Sequence, residues 1–200
     1  MNRLIPALLL LAALPAGATT YTLEPNYTQV VLSWNHLGFS RPTAQIAQGT
    51  GTLDYDEKSP AMSRVTVTLP VASLLTGVPD LDEHLKSGDF FQADKYPSVT
   101  FTSARVIPGM DTSDLTVIGN LRIREKVKPV TLHVKLLGIG TNERTHIASI
   151  GFSATATLKR SDFGLGAFVP QVADEIVLTI TTQGAEARAY ADYLRQQEKK

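Results

Sequence analysis

No cysteine occurs in the 200 residues, which excludes a disulfide framework, thiol catalysis and cysteine-based zinc sites. An excess of either charge is missing too, because 19 Lys and Arg stand against 19 Asp and Glu. A near-neutral chain has no electrostatic footprint for nucleic acid or for an anionic membrane surface. Histidine is sparse, and His36, His84, His133 and His146 never fall at a metal-ligand spacing. Neither a Gly-x-Ser-x-Gly elbow nor a phosphate-binding glycine loop is present, and Asp162-Phe163-Gly164 stands without the rest of a kinase signature. These absences lead us to expect no catalytic residue, no metal and no cofactor, and to read the chain as a non-enzyme.

Long apolar runs are missing from all but the start. Leu4 to Leu14 is apolar apart from Pro6, follows the charged Arg3, and exits through Pro15-Ala16-Gly17-Ala18. A charged start, a short apolar middle and a small-residue exit describe a secretory signal, and the run is too short to span a bilayer at about 20 residues. Residues 1–18 are therefore expected to be a signal peptide cleaved near Ala18, giving an exported protein with no stable membrane anchor. The remaining length suits one domain with a sizeable core over 19–184, followed by a tail over 185–200.

What is abundant is period-two alternation. Val65, Val67 and Leu69 alternate with Thr66 and Thr68, and Val130, Leu132, Val134 and Leu136 with Thr131, His133 and Lys135. Val99-Phe101, Phe152 to Leu158 and Ile176 to Ile180 read the same way, and Leu115 to Ile123 does so less cleanly, since Ile118 falls on its otherwise polar face. Each is a strand with one apolar face. Turn residues at Asp54 to Pro60, Pro108 to Asp111, Gly138 to Asn142 and Ser161 to Gly166 leave only short links, which implies antiparallel pairing. No long amphipathic helix is available to cover the apolar face, so the sheet must close on itself or fold into a sandwich.

Two helices are expected. Pro79 to Gly88 has Asp80 as N-cap, Leu81 and Leu85 as a narrow apolar stripe and Gly88 as a stop. It suits a plug for a barrel mouth or a surface connection equally well. Ala185 to Lys200 lacks Gly and Pro and places Ala187, Tyr190 and Leu194 on one face. The acidic residues around His84 read as a solvated helix face, with acid–base work on a lipid by Asp82 and His84 as the rival. Arg160 and Asp162 either brace a turn or meet a polar ligand head. The aromatics are spread along the chain, which favours a core or an apolar lumen over a nucleic-acid platform.

Several segments together resemble the YceI-like family. They are Val31-Leu32-Ser33-Trp34-Asn35-His36-Leu37-Gly38-Phe39-Ser40, His84-Leu85-Lys86-Ser87-Gly88-Asp89-Phe90-Phe91 and Tyr96-Pro97-Ser98-Val99-Thr100-Phe101. Lys128-Pro129-Val130, Lys159-Arg160-Ser161-Asp162-Phe163-Gly164 and Asp174-Glu175-Ile176 continue the series in the family's order, over about Tyr21 to Gly184. The resemblance implies an all-β fold, a lipocalin-like eight-stranded antiparallel barrel with a short helix near its mouth. It implies a periplasmic or secreted protein that holds a polyisoprenoid, an isoprenoid quinone or a related lipid, with no other cofactor. Lumen and mouth candidates are then Trp34, Leu37, Phe39, Leu81, Leu85, Phe90, Phe91, Phe101, Phe152, Phe163 and Phe168. Polar candidates for the ligand head are Asp82, His84, Arg160 and Asp162. The chain departs from the family pattern at Glu24 to Thr28, at Leu81-Asp82 and at Arg124-Glu125. Monomer and homodimer both fit, and a ligand-free secreted domain working through its surface is the remaining alternative.

Overall fold

The computed structural model of the chain describes residues 17–199, so the expected export signal lies outside the described residues except for its last two. Ten strands dominate: β1 (Thr19–Leu23), β2 (Gln29–Ser33), β3 (Thr43–Ile46), β4 (Thr50–Tyr55) and β5 (Arg64–Pro70), then β6 (Ser98–Pro108), β7 (Asp114–Ile123), β8 (Lys126–Thr141), β9 (Ala148–Lys159) and β10 (Glu175–Glu186). Helix α1 (Pro79–Lys86) lies between β5 and β6, and α2 (Ala187–Gln197) follows β10.

All neighbours pair antiparallel, and the sheet closes. One edge of β10 meets β9 along its length; the other meets β1 from Tyr21↔Glu186 and then β2 to Ser33↔Val177. β1 and β2 are therefore one barrel stave, interrupted by a 3-10 turn at Pro25–Tyr27 where proline offers no N–H to a ladder. β3 and β4 form the adjacent stave, with β3 on β2 and β4 on β1. Ten strands thus make the eight staves of a lipocalin-like barrel closed through β1 and β10, with the outer edge of β3 met only by the single bridge Gln45↔Leu75.

Register shifts between Ser103 and Arg105 and between Leu136 and Gly138 mark bulges, which bend and twist a sheet locally. The second corrects the sequence reading of Gly138 to Asn142 as a turn. Strand β8 runs on to Thr141, pairing Ile139 with Ile150 and Thr141 with Ala148, and the chain reverses at Asn142 to Ile147 instead. Glycine there relaxes the strand without ending it.

Four links gather at one barrel end: residues 34–42, residues 71–97 with α1, the Arg124-Glu125 turn, and residues 160–174. The opposite end holds the links after β4, β6 and β8, together with β1's start and α2. Helix α1 begins at Pro79 with Val78, not Asp80, in the capping position and without a side-chain cap. Proline at the first helical position needs no N–H partner, so an Asp cap adds little there. Strand β10 absorbs Ala185 and Glu186, and α2 starts two residues later than the sequence suggests. Glu186 caps it by accepting from the N–H groups of Arg188 and Ala189.

Candidate ligand-binding lumen

The inward face of each stave supplies an apolar side chain at every second residue. Val99 and Phe101 of β6, Leu115, Val117, Leu121 and Ile123 of β7, and Val130, Leu132 and Val134 of β8 all face one cavity. Phe152 and Ala154 of β9 and Ile176, Leu178 and Ile180 of β10 complete its far wall. After Phe101 the inward position moves from odd to even numbers, and Val106 is the next lumen residue; the bulge at Ser103–Arg105 makes that switch. Gly119 faces inward beneath the Phe101 ring. A Cβ there would collide with that ring and sit 2.6 Å from the Thr102 carbonyl oxygen, so glycine is what lets the phenyl group lie flat on β7.

The cavity is about 710 Å³. At about 30 Å³ for each water-sized group, it holds roughly two dozen carbon-sized groups. A long apolar chain fits; a metabolite covered with hydroxyls finds few partners.

Aromatic side chains gather at the mouth. His84 on α1 packs edge-on to Phe90 with ring centres 5.0 Å apart, and Phe168 stands 6.0 Å from His84 and 6.5 Å from Phe90. Leu81 and Leu85 of α1 also face the cavity, with Trp34, Leu37, Phe91 and Gln171. Of the two roles open to α1, the structure assigns the plug. Arg124 anchors the segment behind it, donating to the Phe90 carbonyl oxygen at 3.0 Å and to Gln92 Oε1 at 3.3 Å, from a residue held at φ 55°.

Polar groups in the lumen are few. Thr28 and Thr182 touch hydroxyl to hydroxyl at 2.8 Å where the β1/β2 stave is interrupted, and both line the cavity. Next to them Gln183 donates to the buried Glu24 at 2.7 Å. Toward the opposite end, Tyr55 packs edge-on to Phe152 at 5.8 Å, and burial, with Glu57 nearby, pushes its phenol up from the usual value.

Most of the sequence-predicted residues converge. Trp34, Leu37, Leu81, Leu85, Phe90, Phe91, Phe101, Phe152 and Phe168 line the cavity, as do His84 and Arg160. Four candidates lie elsewhere. Phe39 is 93% exposed because it closes a tight turn outside the barrel. Phe163 is 1% exposed in the solid core beside the 160–163 turn. Asp162 is on the surface, and Ser161 instead donates through its N–H and its hydroxyl to Asp174, at 2.8 and 2.7 Å. Burial works against the Asp174 charge, but those Ser161 bonds and the nearby Arg160 and Lys159 hold its pKa below the usual carboxylate value.

Asp82 is buried but turned from the lumen, since Oδ1 accepts both the N–H and the hydroxyl of Thr76 at 2.6 Å. Those bonds, the hydroxyl first, hold its pKa below the usual value against the cost of burial. The carboxylate pins the loop before α1 and is separated in role from His84, which belongs to the aromatic mouth.

Arg160 lines the cavity yet is occupied. Its guanidinium donates to the carbonyl oxygens of Ala173 at 2.9 Å, Val172 at 2.9 Å, Ala167 at 2.8 Å and Leu165. Four of five guanidinium hydrogens are thus spent on backbone, and the side chain organises the 160–174 link. Burial pushes its pKa down, with Asp174 opposing. The Thr28–Thr182 pair and Arg124 escape sequence reasoning, since no periodicity marks them. Their one visible signal is that Thr28 and Arg124 fall in segments that the resemblance reads as departures from the family pattern.

The comparisons agree with this geometry. The model of the YceI-like domain matches residues 21–184. Protein YceI of Escherichia coli is 33% identical over 184 residues, covering 91% of this chain and 95% of the relative. The crystal structure of the Campylobacter jejuni YceI protein superposes with a TM-score of 0.68 at 29% identity, over 77% of this chain and 90% of that one. A polyisoprenoid binding domain from Saccharophagus degradans, implicated in plant cell wall breakdown, shares the fold at a TM-score of 0.63 and 13% identity, over 84% and 99%.

Proposed function

The chain belongs to the YceI-like family, and on that premise we propose that it is an exported periplasmic carrier that holds a long-chain polyisoprenoid, isoprenoid quinone or similar amphiphile inside its barrel. The observation behind this reading is the closed apolar lumen of about 710 Å³ with an aromatic mouth. The Saccharophagus degradans domain of the same fold is a polyisoprenoid-binding one, which supports the same ligand class.

Removing one methylene from water gains about 0.8 kcal/mol, so a five-carbon isoprene unit gains roughly 4. Such a ligand is never free in water, however, and its real competitor is the bilayer, where the same groups are already buried. Net transfer into the barrel is therefore small, and binding stays reversible, as a carrier requires. Chain length then contributes little selectivity. Selectivity falls to the few polar groups, His84 and Gln171 at the mouth and the Thr28–Thr182 pair deeper in.

Native mass spectrometry of protein purified from its own periplasm, followed by organic extraction, tests the reading. A bound isoprenoid is the expected result. An empty barrel that takes up no isoprenoid lipid from added vesicles overturns it. Export is checked in the same preparation: the mature N-terminus is expected near Thr19, and an intact Met1 in the cytoplasmic fraction refutes it.

A further inference from the structure

Two turns at the mouth expose apolar side chains that the barrel itself does not use. The 34–42 link reverses at His36 to Phe39, where Leu37 and Gly38 both have positive φ (55° and 79°) and Phe39 N–H donates to the His36 carbonyl oxygen at 3.0 Å. Positive φ at both central positions is the primed type I turn, which favours Asn, Asp or Gly first. Leucine there is locally unfavourable. Beside it runs the turn at residues 168–172, tied on by Leu37 N–H to the Gln171 carbonyl oxygen at 3.2 Å and Ala173 N–H to that of Asn35 at 3.0 Å. Phe168 again has positive φ, at 63°.

Together the turns expose Phe39 at 93%, Phe168 at 60%, Leu37 at 51% and Val169 at 37%. Leu37 and Phe168 also line the lumen. The apolar surface therefore runs without a break from the cavity, through the mouth, to the outside. Charge follows the same pattern: residues 34–42 carry no acidic side chain and one permanent charge, Arg41, and residues 163–173 carry none at all. Exposed Asp80 and Glu83 on α1 mark where this face ends. Two strained backbone positions that display large apolar groups to water point to a function at the site rather than to stability.

We propose that the paired turns at residues 36–40 and 168–172 are a docking face for a lipid bilayer, seating the mouth on the membrane so that a ligand passes between bilayer and lumen without crossing water. This rests on the carrier reading for its ligand and on the surface alone for its partner. Contact is peripheral: the apolar tips enter the headgroup boundary, Arg41 meets lipid phosphates, and the barrel stays outside. No helix among the described residues is long and apolar enough to cross a membrane.

The test uses phosphatidylcholine vesicles loaded with a long-chain isoprenoid quinone. The purified protein is expected to float with the vesicles and to acquire the quinone. Phe39→Asp, at a position outside the lumen, is expected to lower vesicle association and initial transfer rate by about tenfold, the order set by losing one inserted phenyl group. Final quinone occupancy after long incubation stays unchanged. As a second measurement, the cysteine-free chain accepts a single dye at Phe39→Cys, which is expected to shift to the blue on vesicles while a dye at Glu143→Cys, at the far end, does not. A wild-type transfer rate in Phe39→Asp together with an unshifted dye overturns the docking face. Loading without docking leaves the carrier standing and removes this proposal, whereas docking without loading does the reverse. A dimer in solution that Phe39→Asp dissociates assigns the face to a second copy and also overturns the proposal.

Discussion

Replacing Arg160 with methionine removes four hydrogen bonds and leaves the chain reversal over residues 160–174 without its centre. Arg160 is 6% exposed, and its guanidinium donates to the carbonyl oxygens of Leu165, Ala167, Val172 and Ala173. A hydrogen bond from a charged donor contributes about 1.5–3 kcal/mol, but burying the guanidinium costs several kcal/mol in return. Three of the four carbonyls belong to half-buried residues, which water reaches once the loop relaxes; Leu165 is buried. The net loss is therefore well below four full bonds, and about 3–5 kcal/mol is expected, because a carbonyl left without its donor costs about 1–3 kcal/mol and water recovers part of that at the three half-buried residues. For a domain of this size that lowers Tm by roughly 6–20 °C. Urea unfolding followed by the single Trp34 measures it directly, provided m is unchanged. Arg160→Lys is expected to recover less than half, because a compact ammonium cannot span four carbonyls facing a planar fork. A loss below about 1 kcal/mol, accompanied by a collapse of ligand occupancy, refutes this reasoning and makes Arg160 a head-group ligand instead.

Four further outcomes follow from the same geometry. Gly119→Ala forces the Phe101 ring and the Thr102 carbonyl apart and is expected to cost about 1–3 kcal/mol in urea unfolding, as overpacking does; a neutral result shows that Phe101 has another resting place. Ala154→Trp projects a large ring into the cavity and is expected to lower the bound isoprenoid recovered by organic extraction, while unchanged recovery places the ligand elsewhere. Asp82 has a folded pKa below its unfolded value near 4, so its contribution to stability is complete above about pH 4 and is lost as pH falls through the depressed folded value. Thr76→Val removes the hydroxyl that depresses it most, so acid unfolding of that variant should begin at higher pH than in the wild type; superimposable acid transitions refute the link. Finally, deleting residues 187–200 removes a helix with no buried residue and is expected to leave lipid occupancy unchanged, so a loss of bound lipid makes α2 part of the site.

The staves were legible because their inward positions obey a strict period of two: Val130, Leu132 and Val134 face the lumen as their spacing implies. The bulges were not, since Ser103-Ala104-Arg105 has ordinary composition and its parity switch exists only in the pairing with β7. Gly138 misled for the complementary reason, as glycine marks both turns and bulges and only the partner strand decides which. Phe39 shows the limit of hydrophobicity as a guide to burial. Its side chain is as apolar as Phe101, but the turn at Leu37-Gly38 fixes its direction, and direction depends on φ rather than on composition.

The segments that the sequence reading set apart from the family pattern can be placed in the same way. Thr28 pairs its hydroxyl with that of Thr182 on the lumen wall, Leu81 faces the mouth, and Arg124 holds the Phe90 segment from a turn at positive φ. All three residues lie on the cavity or among those that shape its entrance, and none belongs to the ladders that close the barrel. A fold held by many small apolar contacts tolerates such substitutions, because each ladder is paired independently of which group faces inward. On the carrier reading proposed above, selectivity for a lipid head lies at the stave break and at the mouth, and exchanging Thr28 alone for valine is the smallest change that removes the hydroxyl pair while keeping the shape. If that variant binds the same lipids in the same proportions, the pair is structural and selectivity resides wholly at the mouth. A shift toward ligands with less polar heads instead locates the ligand head beside Thr182, deep in the barrel, with its apolar chain reaching back toward His84 and Phe168.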